Sequence, residues 1–218
     1  MVFDDGVTTR LAEDHFYMTT TSGGAAGVLA WLEELLQTEW SDLNVYLTSV
    51  TEQWSVASLS GPNAKAILKA SMSEDTDITD DFPFMTMKDS FIAGLPVRIF
   101  RISFTGEMSF ELNVPARYGL ALWSHLMRVG KSFNLTAYGT EAMHVLRAEK
   151  GFIIVGQETD GTVTPYDLDM SWIVSKKKAD FIGKRALARA SMNEPHRKQL
   201  VGLITKDPDM VIPEGAHA

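Results

Sequence analysis

Two spacings of apolar residues occur along the chain, and the first predicts strands. Segments with every second residue apolar, or rich in β-branched and aromatic residues, favour extended structure. Such segments cover residues 7–11, 15–21, 44–50, 53–59, 84–94, 95–104, 109–114, 152–156 and 199–204. Gly94 ends one segment just before the next begins, which predicts a hairpin turn.

The second spacing places apolar residues three and four apart, which predicts amphipathic helices. In residues 25–40 this face consists of Val28, Leu29, Leu32, Leu35 and Leu36. Further helices are predicted over residues 64–72, 116–130, 140–151 and 180–190. Pro62 precedes the second helix, where its missing N–H costs nothing.

The order of these elements predicts an α+β fold. Hairpins and helices are mixed without regular βαβ alternation, which favours largely antiparallel sheets with helices. Residues 73–83 are acidic, rich in Ser, Thr and Asp, and end in Pro, so we expect a loop and an internal boundary there. We expect three segments, 1–80, 81–198 and 199–218. The abrupt start and the turn-rich end further predict a piece of a longer chain.

Composition narrows the function classes. The 218 residues carry a net charge of −8 and no cysteine, which excludes disulfides, thiolate metal sites and a cysteine nucleophile. An acidic chain repels phosphate backbones, and we interpret Lys176 to Lys178 as a solvated turn rather than a nucleic-acid patch. No stretch approaches the ~20 apolar residues of a membrane span. We expect a cytoplasmic protein with no nucleic-acid or membrane partner.

The usual catalytic motifs are missing. SGGAAG (residues 22–27) lacks the spacing of a dinucleotide loop and the Lys of a phosphate loop, so a strand-to-helix turn is favoured. No pair of histidines has metal-binding spacing, and we expect no metal site. No G-x-S-x-G elbow is present.

The adjacent acids Asp4 and Asp5 allow two interpretations. Asp followed by Gly6 is a common turn pair. A carboxylate flanked by apolar residues at the start of a strand can also act as a base, or as an acceptor for an amine. The pair alone does not decide between them.

Seven motifs in order resemble one family. DDGVTT, FYMTT, SLSGPNAKAIL, SFTGEMSFEL, LRAEKGF, TPYDLDMSWIV and DFIGKRAL are similar to the tetrahydrofolate-binding domain of the glycine-cleavage T-protein (aminomethyltransferase) family. Within it, the likeness is closest to the folate domain of the sarcosine oxidase branch, the oxidases of N-methylated glycines. It runs nearly end to end. It implies an α+β core in segments 1–80 and 81–198, and a C-terminal β-barrel of which 199–218 is only the start.

The resemblance also implies a site. The second Asp of the family's G-G-x-x-D-D segment falls on Asp5, which would be catalytic, beside the reactive folate nitrogens, with Asp4 forming the turn. Glu111 ends the family's T-G-x-x-x-F/V-E motif and would grip the pterin, because a carboxylate accepts two parallel N–H bonds. The remaining folate-binding positions would be Tyr17, Thr19, Thr21, Phe104 and Trp172.

Three positions depart from the family pattern. Thr21 stands where the family has Asn, and Phe104 where many T-proteins have Tyr. Met143 replaces an Arg found in many T-proteins, which weakens any expectation of an amino-acid carboxylate or a lipoyl-bound substrate there. From residue pattern alone, Tyr17 and Trp172 would be core aromatics and Glu111 a solvent-facing side chain.

The implied function is one-carbon capture. In this reading a flavin oxidises sarcosine to an imine, and tetrahydrofolate held here captures the one-carbon unit, which yields glycine and 5,10-methylenetetrahydrofolate. Flavin and NAD would belong to other domains or subunits, and the partners would be tetrahydrofolate and flavin-containing oxidase subunits. The alternatives are an aminomethyltransferase of the glycine cleavage system and a non-catalytic folate-binding module.

Overall fold

The structure, a computed structural model, describes residues 2–72, 82–213 and 215–216. Proximity of Cα atoms divides the chain into two compact units. The larger unit is Asp4–Val155, and the smaller unit is Met1–Phe3 with Gly156–Ala218. The predicted loop over residues 73–83 falls largely outside the described residues, and the three-segment division stays a prediction.

Six strands in the larger unit form two antiparallel sheets. β1 (Thr8–Arg10) and β2 (Phe16–Met18) make a hairpin. β3 (Trp54–Ser60), β4 (Met87–Ile92), β5 (Leu95–Phe100) and β6 (Ser109–Pro115) form a sheet in the order β3-β6-β5-β4. Gly94, with φ of +77°, lies in the turn between β4 and β5, as the sequence predicts.

Five α-helices are present in the part of the chain that the structure describes. They are α1 (Ala25–Thr38), α2 (Ala64–Ser71), α3 (Gly119–Gly130), α4 (Thr140–Lys150) and α5 (Lys184–Leu187). The end of α4 shows why a helix stops where it does. Gly151 adopts the left-handed conformation, its N–H reaches the Ala148 and Arg147 carbonyls, and the Phe152 N–H donates to the Arg147 carbonyl. Strands and helices in this arrangement confirm the α+β prediction.

Three predicted strands are wrong, and several predicted elements are shorter in the structure. Residues 44–50, 152–156 and 199–204 are not strands, and the helix over residues 180–190 is only α5. Apolar alternation favours an extended chain, but a strand also needs a neighbour to hydrogen-bond with. Residues 44–50 and 199–204 have no paired strand among the described residues, and Tyr46 and Ile204 are 89% and 97% exposed.

The hydrophobic core lies on one face of the four-stranded sheet, beneath α2 and α3. β6 supplies Phe110, Leu112 and Val114 to this core, and all three side chains are buried. The core also contains Leu59, Ile67, Leu68, Phe82, Ile92, Val97, Ile99, Leu122 and Leu126. Because successive side chains of a strand point to opposite faces, Glu111 and Asn113 face away from this core.

The smaller unit contains a buried ion pair. Asp167 is buried and accepts bonds from Arg197 Nε (2.8 Å) and Nη2, and Thr164 donates its N–H and hydroxyl to the same carboxylate at 2.8 Å. Hydrogen bonds from Arg197 hold the pKa of Asp167 far below its usual range; burial opposes this, and the bonds from Thr164 add to it. The pair joins residues 162–167 to residues 191–200.

The helices do not match the dimensions of a bilayer. Within the described ranges, none is long and apolar enough to cross a membrane.

We predict that Leu112→Ala lowers the free energy of unfolding by about 3 kcal/mol, because it leaves a cavity in a packed core. Val56→Ala, at a residue 52% exposed on the same sheet, is the control and should cost less than about 1 kcal/mol. Urea unfolding of both variants checks this. Equal losses would contradict the assignment of the core face.

We predict that Arg197→Gln destabilises the smaller unit at pH 7, because it leaves the Asp167 carboxylate without its charged partner. The folded pKa of Asp167 lies below its unfolded value of about 3.9, so the stabilisation is present above that pH and is lost as the pH falls below it. Hydrogen exchange of the Leu200 amide, which donates to the Asp167 carbonyl, measures the opening. A pH-independent difference between the proteins would contradict the ion-pair account.

Candidate functional site

Asp4 ties the start of β1 to the turn after β2. Its Oδ1 accepts from the Thr21 N–H (3.0 Å) and the Asp5 N–H (2.8 Å), and its Oδ2 accepts from the Thr21 hydroxyl (2.9 Å). A Cβ at Gly24, the residue before α1, would collide with the same carboxylate. Asp4 is thus engaged by a residue 17 positions further along the chain. Residues 4–7 form no turn in the structure, and the turn-forming role of Asp4 is not observed.

Asp5 is differently placed. Among the described residues, no group donates a hydrogen bond to its carboxylate, which keeps some exposure to solvent. Partial burial raises the pKa of Asp5, and the negative charge of Asp4 raises it further. A carboxylate with a raised pKa and no committed donor can accept a proton or an amine N–H. Whether Asp5 is catalytic stays a prediction.

The two threonines near Asp5 have hydroxyls that are already engaged. The Thr19 hydroxyl lies 3.2 Å from the Val7 N–H and 3.3 Å from the Val7 carbonyl. The Thr21 hydroxyl donates to Asp4 and accepts from the Gly24 N–H at 3.2 Å. Both contribute to closing the open end of the hairpin, and their predicted contact with folate stays a prediction.

Tyr17 of β2 lies on the four-stranded sheet. Its hydroxyl donates to Asn113 Oδ1 (3.4 Å), and its ring stacks on Phe100 with centroids 5.9 Å apart. Trp54 meets the same ring edge-on at 5.8 Å, and the Arg98 guanidinium lies 5.2 Å from its centroid. Tyr17 therefore connects the hairpin to the sheet.

Glu111 lies on the sheet face opposite the core. Its partners in the register are Ser58 on β3 and Phe100 on β5. Among the described residues no group donates a hydrogen bond to its carboxylate, and burial raises its pKa. A largely desolvated carboxylate without donors is energetically costly, so a ligand that brings N–H groups would relieve that cost.

The motif that precedes Glu111 forms a tight loop. Phe104 is half-buried, and the buried Thr105 hydroxyl has no partner among the described residues. At Gly106, with φ of +82°, a Cβ would collide with the Lys150 side chain, so α4 packs directly on this loop. Trp172 belongs to the smaller unit, within a 3-10 turn at Ser171–Ile173, and is 78% exposed. The contacts of Phe104 and Trp172 with folate stay predictions.

A cavity of about 350 Å³ lies beside the open edge of β3. Its walls come from residues 56–60, the Leu135–Thr140 segment and α3, and Met143 contributes to them. None of the predicted site residues lines it. The cavity is nearest to the predicted site residues at Ser58, which lies directly opposite Glu111 on the neighbouring strand. The Ser58 hydroxyl accepts a hydrogen bond from the Tyr138 hydroxyl at 3.2 Å.

Sequence reasoning missed Asn113, Arg98 and Trp54. Asn113 and Arg98 are directly opposite in the register, and both face the side of Tyr17. The available signal for Asn113 was its position two residues after Glu111 on an alternating strand. For Arg98 it was a charged residue amid the apolar residues of β5. In the part of the chain that the structure describes, no cluster of His, Cys, Asp and Glu could hold a metal ion.

Comparison with known proteins gives these features a family context. Residues 1–178 match the family described as GCVT N-terminal domain. The chain belongs to this family. Its larger unit, with the acidic pair, the Tyr17 hairpin and Glu111, lies wholly within the matched residues, so the candidate site is a feature of a GCVT N-terminal domain.

Relatives of this chain include proteins named as an oxidase subunit and as a dehydrogenase. Sarcosine oxidase subunit alpha of Corynebacterium sp. (strain U-96) is 53% identical over 218 residues, 99% of this chain and 22% of that protein. Human mitochondrial dimethylglycine dehydrogenase is 31% identical over 98% of this chain and 24% of that protein. The chain thus spans about a quarter or less of each of these two relatives.

A solved structure agrees on the fold of this GCVT N-terminal domain. The glycine cleavage system aminomethyltransferase T from Bartonella henselae aligns with a TM-score of 0.66 at 27% identity, over 80% of this chain and 44% of that one. The resemblance inferred from the seven motifs is therefore confirmed at the level of family and fold.

We predict that Glu111→Gln stabilises the ligand-free domain at pH 7, because it removes a desolvated charge. The folded pKa of Glu111 lies above its unfolded value, so the destabilisation is absent at low pH and develops as the pH rises through the folded pKa. Urea unfolding from pH 3 to 8 should show the two proteins diverging with pH. Glu107→Gln, at an exposed carboxylate in the preceding loop, is the control; a similar divergence there would contradict the account.

Proposed function

We propose that this domain binds tetrahydrofolate for a sarcosine oxidase-like enzyme. It would capture the one-carbon unit of oxidised sarcosine, with glycine and 5,10-methylenetetrahydrofolate as products. The observation that carries the proposal is Glu111, a partly buried carboxylate to which none of the described residues donates a hydrogen bond, on the polar face of a GCVT-family sheet.

The residues fit a reduced folate. The aminopyrimidinone edge of a pterin carries two adjacent N–H donors, and a carboxylate is their natural bidentate acceptor. Glu111 would supply it; burial raises the pKa of Glu111, and N–H donors from a ligand would favour its ionised form. Ser58, directly across the sheet, offers a hydroxyl beside that edge.

Asp5 would provide the chemical step. Bound tetrahydrofolate supplies the two nitrogens that take up the one-carbon unit. The Asp5 carboxylate, whose raised pKa makes it a better base than an ordinary Asp, would accept the proton that an attacking folate nitrogen loses. The bond between the one-carbon unit and the glycine nitrogen would break as that nitrogen takes up the protons released by the folate nitrogens, so that glycine leaves. Enclosing this step limits loss of the one-carbon unit to water.

Oxidation of the methylated glycine is assigned to other parts of the enzyme. The relatives named as sarcosine oxidase subunit alpha and dimethylglycine dehydrogenase are about four times longer than this chain, at 22% and 24% coverage. We propose that flavin and NAD bind outside these residues and that flavin-containing subunits are the partners, in a cytoplasmic complex.

A glycine-cleavage aminomethyltransferase is the second candidate, favoured by the structural likeness to aminomethyltransferase T. Met143, which lines the cavity beside β3, gives no positive charge there for an anionic group of the substrate. The oxidase reading is the better supported of the two, because the 53% identity to a sarcosine oxidase subunit covers 99% of the chain.

We predict that Glu111→Gln weakens tetrahydrofolate binding about 10- to 100-fold, because one charge-assisted bidentate contact is lost. Asp5→Asn should leave affinity within about threefold but reduce the capture rate about 100-fold or more. Titration by tryptophan quenching gives affinity, and condensation of tetrahydrofolate with formaldehyde, corrected for the uncatalysed rate, gives capture.

Glu107→Gln serves as the matched control for charge, and it should change neither quantity. Binding without any acceleration of capture, in wild type and Asp5→Asn alike, would favour the non-catalytic folate-binding module. Absence of saturable binding by the wild-type chain would contradict the proposed function.

A further inference from the structure

The hairpin that carries Asp5 is too small to hold its own position. β1 and β2 have three residues each, and an isolated two-stranded ribbon is at best marginally stable in water. Residues that attach it to the four-stranded sheet therefore determine where its side chains lie.

The described side-chain contacts of the hairpin with this sheet converge on Tyr17. The hydroxyl reaches Asn113 on β6, and the ring contacts Phe100 and Arg98 on β5 and Trp54 on β3. One side chain thus bridges to three strands of the sheet. Both the polar end and the ring of Tyr17 are engaged by protein.

The receiving residues are unusual for a sheet interior. Asn113 is 1% exposed and uses only its Oδ1, while its Nδ2 has no partner among the described residues. An apolar residue of the same shape would avoid that desolvated amide. Among the described interactions, only the hydrogen bond from the Tyr17 hydroxyl uses a polar atom of the Asn113 side chain.

Arg98 also contacts Tyr17, and we call Asn113 and Arg98 together the seat of Tyr17. Its guanidinium lies 5.2 Å from the ring centroids of both Tyr17 and Trp54, and its Nε–H donates to Asp89 Oδ1 at 3.0 Å. A largely buried guanidinium over an aromatic face attracts the ring more strongly than an exposed one does. Asp89 orients Arg98 and is itself exposed.

The position of Asp5 follows from that of Tyr17. The Thr19 N–H donates to the Val7 carbonyl at 2.9 Å, and Asp4 then ties its neighbour Asp5 to Thr21. Glu111, on the other side, is two residues from Asn113 on β6. Asp5 and Glu111 are therefore linked through Tyr17 and its seat.

We propose that Tyr17, seated on Asn113 and Arg98, is a positioning residue that sets the distance between Asp5 and Glu111. The inference rests on the proposed function for its effect on capture. It assigns Tyr17 a role different from direct contact with folate. Geometry of this kind matters because a small misplacement of a reacting group lowers the rate far more than it lowers affinity.

Hydrogen exchange of the ligand-free chain tests the seat directly. In Asn113→Leu, Tyr17→Phe and Arg98→Met, the Leu11 and Thr19 amides of the hairpin should exchange about tenfold faster, while amides of β5 and β6 keep their protection. Asp89→Asn keeps an Oδ1 acceptor for the Arg98 Nε–H, so it preserves the orientation of Arg98 and is the matched control without such an effect. Unchanged exchange in all three variants would overturn the proposal.

A second arm separates positioning from ligand contact. Asn113→Leu should reduce formaldehyde capture about tenfold, while its affinity for tetrahydrofolate stays within about twofold. The double variant Tyr17→Phe with Asn113→Leu should be no worse than either single change, because both remove the same hydrogen bond. Loss of affinity in parallel with rate would overturn positioning in favour of direct contact.

The two proposals fail in different ways. If the wild-type chain does not bind tetrahydrofolate, the proposed function falls, and with it the role of Tyr17 in capture. If it binds and captures but the Asn113→Leu rate equals the wild-type rate, the proposed function stands and the positioning role is overturned. Circular dichroism of each variant confirms that the sheet is folded in both comparisons.

Discussion

The alternation of side chains along β6 is the constraint on which the rest of the structure depends. This strand lies inside the sheet, so both of its edges are hydrogen-bonded, to β3 and to β5. Phe110, Leu112 and Val114 join the core beneath α2 and α3. Glu111 and Asn113 must then face the other side, and a shift of one residue in register would exchange the two sets. Core packing thus fixes where the polar site can be.

On the face of the sheet opposite the core, polar groups without hydrogen-bond partners lie next to packed aromatic side chains. Among the described residues, no group donates to the Glu111 carboxylate, and Asn113 uses its Oδ1 but not its Nδ2. The neighbouring Tyr17, Phe100 and Arg98 side chains contact one another. Stability alone would favour apolar residues at both positions. Retained, incompletely satisfied polar groups in an otherwise consistent fold are typical of a functional site. This is the physical reason for assigning ligand recognition to this face.

How far the sequence predicts this structure differs between elements. Helices α1 to α4, the β1–β2 hairpin and the sheet strands follow from periodicity, because their patterns are long or closed by clear turns. Residues 44–50 show the same alternation, yet strand formation depends on a partner that local sequence does not reveal. The sequence did not predict a role for Asn113, because its hydrogen bond joins it to Tyr17, a residue 96 positions away in the chain.

The site was predictable only in part. The Asp-Asp-Gly segment predicted a turn, but Asp4 instead accepts hydrogen bonds from Thr21, a contact that local sequence does not reveal. The family resemblance singled out Glu111. Periodicity alone gave Glu111 a solvent-facing role, because alternation shows which face a residue occupies but not what covers that face. Tyr17 and its seat on Arg98 became visible only once the register of β5 and β6 was known.

The most direct test of the central claim is the pKa of the Glu111 carboxylate, measured by ¹³C NMR with and without tetrahydrofolate. The account predicts a value above that of an ordinary Glu in the free domain. It predicts that the pKa of Glu111 falls well below that of an ordinary Glu when tetrahydrofolate binds, because two N–H bonds then stabilise the ionised carboxylate. A pKa that does not move when tetrahydrofolate saturates the domain would contradict the claim that Glu111 holds the pterin.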